Sequence, residues 1–276
     1  LERIQAAQGK ETAMFSIHDE IRNALDHVEK AYGVRILYAC EAGSRAWGVS
    51  SQDSDYDVRF IYIHPSDRYL SIDEIMDVIE LTAGDRLDVS GWDLRKTLRL
   101  FRKSNPSLLE WLQSDIVYAE SGRAAQRLRG LIPALFSPHT CVLHYLNMAK
   151  RNFRHELQRG DPLKIKSVFY VLRPILACQW IDQFGTVPPL SFQALTGALL
   201  QNGELSREIE TLEARKTAGE QLVPTPHSRM LLSYMEKEIG RIQAFSETLG
   251  KKSMKNATPR LDALFRDLLK ESGPSP

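Results

Sequence analysis

At 276 residues, with 43% apolar and 26% charged side chains, the chain holds enough material for one large folded unit or two ordinary ones, which excludes global disorder. Its formal net charge of +1 excludes an overall basic excess, so any contact with nucleic acid must come from a local patch. Three widely spaced cysteines, Cys40, Cys141 and Cys178, match no zinc spacing and point to buried thiols in a reducing compartment.

The first dozen residues, "LERIQAAQGKET", are polar and read as a loose arm (1–13). In "FSIHDEIRNALDHVEKAYG" the apolar positions Ile17, Ile21, Ala24, Leu25 and Val28 have helical spacing, stopped by Gly33. "VRILYAC" has the β-branched and aromatic content of a strand. "GSRAWG" is a turn into a short helix, "SSQDSD" a polar loop, and "YDVRFIYIH" a second strand ended by Pro65. "DVIEL" and "RLDVSGW" are shorter strands. "DLRKTLRLFRKSNPSLLEW" reads as two helices broken at Asn105-Pro106. After Tyr118 strand signals almost vanish, and helical patterns follow at 121–132, 138–159, 163–183, 205–215, 228–248 and 258–270. The expectation is an α+β protein: a catalytic domain over 14–119, an all-α domain over 120–272 and a tail at 273–276. No apolar run approaches the ~20 residues of a membrane span. The opening residues carry no signal-peptide pattern, so a cytoplasmic protein without membrane partners is expected.

The chemistry gathers in "YACEAGSRAWGVSSQDSDYDVRFIYIHP". Residues two apart on a strand share a face, so Asp55 and Asp57 project together with Cα atoms roughly 6–7 Å apart. Such a pair is either a solvated turn or a seat for a divalent cation, and oxygen-only ligands suit Mg²⁺ or Mn²⁺ rather than zinc. Gly43 permits a tight turn after a strand, and Ser44 opens a short helix with unpaired N–H groups. That element is a phosphate cradle or simply a capped turn. Together the two elements make a site for a metal-bound nucleoside triphosphate. Nucleotidyl transfer needs a third carboxylate for the second metal and the attacking hydroxyl. Asp88, flanked by Leu87 and Val89, falls on the exposed face of a strand; Asp93 fits better as the N-cap of "LRKTLRL", and Asp85 falls in a turn.

These motifs resemble the nucleotidyltransferases of the DNA polymerase beta superfamily. More narrowly, "GSRAWGVSSQDSDYDVRFIYIHP", "DVSGWDLRKTLRL" and "KSNPSLLEWL" resemble a subfamily of bacterial and phage nucleotidyltransferases, some associated with RNA-repair operons, over roughly residues 35–190. The resemblance implies a mixed sheet with helices on one face and the site at its exposed edge. It further implies that Gly43 and Ser44 hold the triphosphate, that Asp55 and Asp57 bind two Mg²⁺ ions (Mn²⁺ as substitute), and that Asp88 binds one metal and the attacking hydroxyl.

In "DPLKIKSVFYVLRPILACQW", Lys166, Tyr170 and Arg173 lie on one helical face, with Lys164 near its edge and Pro174 interrupting. This face meets triphosphate and base, or is a solvated basic stripe. Arg45 is a phosphate contact or points outward. Lys150, Arg151, Arg154 and His155 follow an RNA backbone or are a solvated face. Trp47, Trp92 and His64 read as packing. The leading function is transfer of NMP from an NTP to a hydroxyl, an RNA 3′ end among the candidates. The alternative is a nucleotide-binding, antitoxin-like interaction module without turnover. Arg151 and His155 depart from the spacing of helical nucleases. Nothing in the sequence sets the oligomeric state.

Overall fold

A computed structural model of the protein describes residues 16–83, 86–159, 163–200, 203–223, 225–250 and 257–272. The expected arm, the expected tail and Asp85 lie outside the described residues.

Helix α1 (Ile17–Tyr32) starts at a capping box between Ser16 and Asp19, ends at Gly33 in the left-handed region, and buries Ile21, Ala24, Leu25 and Val28. Strand β1 (Arg35–Glu41) leads into α2 (Gly43–Ala46), a single turn. Strand β2 (Tyr56–Ile63) follows, then a 3₁₀ turn (Ser66–Leu70), β3 (Val78–Ala83) and β4 (Leu87–Asp93). Helices α3 (Leu94–Arg102) and α4 (Pro106–Trp111) precede β5 (Val117–Glu120). The sheet is five-stranded and mixed, in the order β3-β4-β2-β1-β5, with β2 and β4 parallel and the other pairs antiparallel. Asn105 caps α4 through Leu108 N at 3.1 Å, with Pro106 as the first helical residue, which is how the Asn-Pro break is used.

The helices α5 (Ala124–Leu135), α6 (Pro138–Arg159), α7 (Ile165–Phe184), α8 (Phe192–Leu199), α9 (Glu204–Thr217), α10 (Thr225–Thr248) and α11 (Ala257–Glu271) complete the chain. Two elements escaped the sequence reading. Strand β5 is four residues long and carries no alternation of its own; its pairing with β1 makes it a strand. Helix α8 is a short apolar turn started by Ser191.

Helices cover both faces of the sheet, which corrects the single covered face that the resemblance implied. On one face α1 packs over Ile36, Ala39, Val58, Phe60, Tyr62 and Val89. On the other, Leu37, Tyr38, Cys40, Ile61 and Ile63 join a core that runs through α3 to α7 and on to Leu264 and Leu268 of α11. A bulge between Ile36 and Tyr38 lets the consecutive residues Leu37 and Tyr38 serve the same core. Beyond β5 the described elements are helices, with one isolated bridge between Lys164 and Leu222, and the hydrophobic core does not divide there. Arg127 ties α5 to Asp267 and Glu271 of α11, at 2.6 and 3.0 Å. All three thiols are buried and unpaired, and burial pushes Cys40 up to about 12.

Helix α7 passes through Pro174 without ending. Proline removes the donor that would satisfy the carbonyl four residues earlier, at Tyr170. Asn152 Nδ2 of α6 supplies the missing bond, 2.8 Å from Tyr170 O. The defect thereby becomes a fixed link between two helices.

Gly91 of β4 lies under the ring of Phe60, and an added Cβ would sit 2.1 Å from Phe60 Cε2. Gly91→Ala is expected to lower stability by ~1–3 kcal/mol through overpacking. Urea denaturation measures it, and an unchanged midpoint would contradict this packing.

Candidate active site

The parallel pairing of β2 and β4 sets Asp57 directly beside Asp88. Leu87 and Val89 turn inward, which leaves Asp88 on the open face with its side chain 57% exposed. Asp93 instead caps α3, accepting from Arg95 N at 2.7 Å and from Tyr69 Oη at 2.5 Å. Asp55 lies one residue before β2, and its Oδ2 is 3.8 Å from Lys166 Nζ. Burial raises the pKa of Asp57; Arg59 opposes that, and the charges of Asp88 and Asp55 reinforce it.

The turn from β1 is built against Asp57. Gly43 has φ +60°, and a Cβ there would lie 2.1 Å from Asp57 Oδ2, so only glycine lets the backbone run this close to the carboxylate. Ala42 N donates to Asp57 O at 2.8 Å. Ser44 is buried beside this turn and lines the cavity described below. Since α2 is one turn long, its role toward anions rests on a few backbone N–H groups rather than on an extended dipole.

Three residues the sequence reading passed over hold this arrangement. Glu41, at the end of β1 and 1% exposed, accepts from Asp57 N at 2.9 Å and from Tyr118 Oη at 2.5 Å. Its burial pushes its pKa up. A glutamate ending an apolar strand just before a Gly-Ser turn was the available signal. Arg59 Nη2 bridges Asp57 Oδ1 at 3.1 Å and Asp88 Oδ2 at 2.8 Å. The alternation that aligned Asp55 with Asp57 also puts Arg59 on that face. Lys216 of α9 is buried, donates to Val49 O, and has its pKa lowered, first by burial and then by Lys166. Nothing in its spacing marked it; tertiary packing alone brings it here.

Between the sheet and the helices lies a cavity of about 250 Å³. One wall carries Ser44, Ser51, Ser54, Asp53, Asp55 and Asp57; the other carries Lys164, Lys166, Tyr170, Lys216 and Glu220, whose charge is paired with Arg215. Of the expected residues, Gly43, Ser44, Asp55, Asp57, Asp88, Lys166 and Tyr170 are therefore gathered at one place.

Two expected phosphate contacts are corrected. Arg173 is 1% exposed and far from solvent: its Nη1 meets Glu110 Oε1 at 2.5 Å, and its guanidinium lies 4.9 Å from the Trp47 ring centre. The shared helical face of Lys166, Tyr170 and Arg173 enters the core halfway, so the three differ in burial. Arg45 donates to Asp55 O at 3.1 Å and Ser54 O at 2.7 Å and stacks 3.7 Å over Tyr56. It braces the aspartate loop. Trp92 stacks on Trp111 at 3.9 Å, as a packing residue does. Asn147, Lys150, Arg151, Arg154 and His155 line a separate basic groove on α6.

Among the described residues no three His, Cys, Asp or Glu side chains close around a point as metal ligands. Asp57 and Asp88 do converge, but on the Arg59 guanidinium, while Asp55 faces Lys166.

A Gly-Ser turn packed on a strand carboxylate, a second carboxylate in register on the adjacent strand, and lysines opposite define a protein of the nucleotidyltransferase-like class. The chain belongs to the RNA repair pathway DNA polymerase beta family, RlaP, whose model matches residues 17–267. The match extends well past residue 190, where the motif resemblance stopped, and takes in Lys216. The uncharacterized protein YcgL of Bacillus subtilis (strain 168) is 51% identical over 251 residues, 91% of this chain and 96% of that protein. A solved nucleotidyltransferase-like protein from Exiguobacterium sibiricum 255-15 aligns over 83% of this chain and 78% of its own, at a TM-score of 0.31 and 13% identity. No described helix is long and apolar enough to cross a membrane.

Gly43→Ala forces the Asp57 carboxylate aside and places a side chain at positive φ, so it is expected to cost ~1–2 kcal/mol. Arg173→Met strands Glu110 in the core and is expected to cost ~3–5 kcal/mol, whereas exposed Lys166→Ala stays within about 0.5 kcal/mol. Chemical denaturation of the three variants checks the order, and a silent Arg173→Met would overturn the structural role given to that arginine.

Proposed function

We propose that the protein transfers a nucleoside monophosphate from an NTP to a hydroxyl acceptor, with a divalent cation as cofactor and an RNA 3′ end as acceptor. The observation that carries this reading is the cavity with aspartates on one wall and three lysines on the other. A chelated triphosphate has that division of charge: the lysines match the phosphates, and the carboxylates match the cation. Family membership supports the reaction class and the RNA context.

The residues fit Mg²⁺ or Mn²⁺. All the donors are oxygens, and Asp57 and Asp88 already share one cationic nitrogen. When bound, the metal would offset phosphate charge and lower the pKa of the acceptor hydroxyl. Asp55 would join these ligands by leaving Lys166. Ser44 donates to a phosphate oxygen. Lys166 and Lys216 oppose the triphosphate charge, Lys216 more strongly because it is desolvated. Tyr170, braced by Asn152 from behind, offers its ring to the base. Asp88, the most exposed of the three aspartates, stands where an acceptor hydroxyl can arrive. No covalent intermediate on the protein is required.

A second reading, a nucleotide-binding interaction module without turnover, is favoured by one observation: Arg59 already neutralises Asp57 and Asp88.

The test offers each NTP, labelled at the α-phosphate, with Mg²⁺ and RNAs bearing a free or a blocked 3′ hydroxyl. Transfer to the free 3′ end is expected, reduced at least 100-fold in the Asp55→Ala/Asp57→Ala double variant. Nucleotide binding without transfer to any hydroxyl would favour the second reading. Absence of both binding and transfer would sink the nucleotidyltransferase reading altogether.

A further inference from the structure

Arg59 is held at four points. Besides the two carboxylates, its Nη1 donates to Val58 O and Asp88 O, both at 3.1 Å, and its side chain is only 19% exposed. The sheet dictates this seat. Parallel register brings Asp57 beside Asp88, and strand alternation puts Arg59 on the same face two residues further on. Two carboxylates in adjacent register repel unless a cation lies between them. Here the chain supplies that cation itself.

A divalent ion bridging the two carboxylates from the open face would take Asp57 Oδ1 and Asp88 Oδ2, the oxygens that Arg59 now holds. Guanidinium has donors only and cannot ligate a metal, and its fixed charge repels one. The two arrangements exclude each other. We propose that Arg59 is a latch on the carboxylate pair: it holds Asp57 and Asp88 together without metal, must leave for a metal to bind, and is drawn off by the phosphates of the incoming nucleotide. This rests on the nucleotidyltransferase reading of the site and deepens it, because it sets the order of loading. Metal alone has to displace a four-point contact with nothing to receive the freed guanidinium. Metal arriving with a triphosphate exchanges partners: the ion takes the carboxylates, and a phosphate takes Arg59. The freed side chain stays beside the cavity, since it projects from the face of β2 that carries Asp57, a residue of the cavity wall. Arg59 is thus a positioning residue that couples nucleotide binding to metal binding and keeps the site from filling with metal alone.

The test titrates Mn²⁺ into full-length protein and reads free Mn²⁺ by electron paramagnetic resonance, with and without each α,β-methylene NTP. Wild type, Arg59→Gln and Arg59→Lys are compared after circular dichroism has confirmed folding. In Arg59→Gln the nucleotide-free affinity for Mn²⁺ is expected to rise at least tenfold, and the further gain from nucleotide to shrink by a similar factor. Arg59→Lys, whose single ammonium cannot span all four contacts, is expected to shift about threefold in the same direction. It carries the test if the glutamine variant does not fold. Nucleotide-free affinities equal to wild type, in a wild type that still gains Mn²⁺ with nucleotide, would overturn the latch and leave the nucleotidyltransferase reading standing. No Mn²⁺ binding by wild type with any analogue would overturn both.

Discussion

The buried ion pair between Arg173 and Glu110 is the contact on which the placing of the site depends. Two opposite charges leave water here, and the cost is offset mainly at Glu110, which collects three donors, while Arg173 Nε has no hydrogen-bond partner among the described residues. Glu110 takes Arg173 at 2.5 Å, Tyr145 Oη at 2.8 Å and Trp47 Nε1 at 3.2 Å, while Arg173 also reaches Leu190 O at 3.3 Å. Five separate parts of the chain meet at this point: α4, α6, α7, the turn after β1 and the segment before α8. Trp47 is four residues beyond Gly43, and its carbonyl accepts from Phe192 N at 2.9 Å. The turn that faces Asp57 is therefore fastened to the helical half by buried polar bonds, which are directional, rather than by apolar packing, which slides. Tyr170 and Lys166, one and two turns before Arg173 on α7, are brought to the cavity by the same anchor.

Around that anchor the two walls of the cavity are held differently. The acidic wall is rigid because backbone positions it: Glu41 grips Asp57 N, Ala42 N grips Asp57 O, and the β2–β4 register sets the spacing to Asp88. Burial, with the charges of Asp88 and Asp55 adding to it, holds the pKa of Asp57 above its ordinary value. The lysines of the basic wall are long side chains from α7, α9 and the residue before α7, and of the three only Lys216 is buried. A rigid acidic wall and an adaptable basic one suit a ligand that brings both charge signs. Under the proposed function the fixed groups would define where a cation sits, and the lysines would follow the shape of the anion.

Much of this was legible beforehand. Strand alternation placed Asp55, Asp57 and Asp88; the isolated glycine marked the turn; and caps such as Asp93 and Asn105 behave as local chemistry requires. Reading failed where a side chain's fate depends on what lies across from it. Helical spacing put Arg173 with Lys166, but could not show that α7 dives into the core between them. Arg45 is next to Ser44 in sequence, yet Tyr56 and two loop carbonyls claim it. Glu41 and Arg59 stood in plain view and looked like ordinary strand charges, because their partners come from β5 and β4.

What the sequence determined by itself is the inventory and its local geometry: the strand–turn–strand unit, the helices with their caps, and the face on which each aspartate projects. These follow from backbone sterics and from periods of two and 3.6 residues, which operate within a few positions of the chain. Only the tertiary structure decided which charges are neutralised and which remain for a ligand. Arg173 is spent on Glu110 and Arg59 on two aspartates, while Lys216, from a helix with no motif, is delivered to the cavity. That sorting is electrostatic and set by burial and distance between segments far apart in sequence, and no local pattern encodes it.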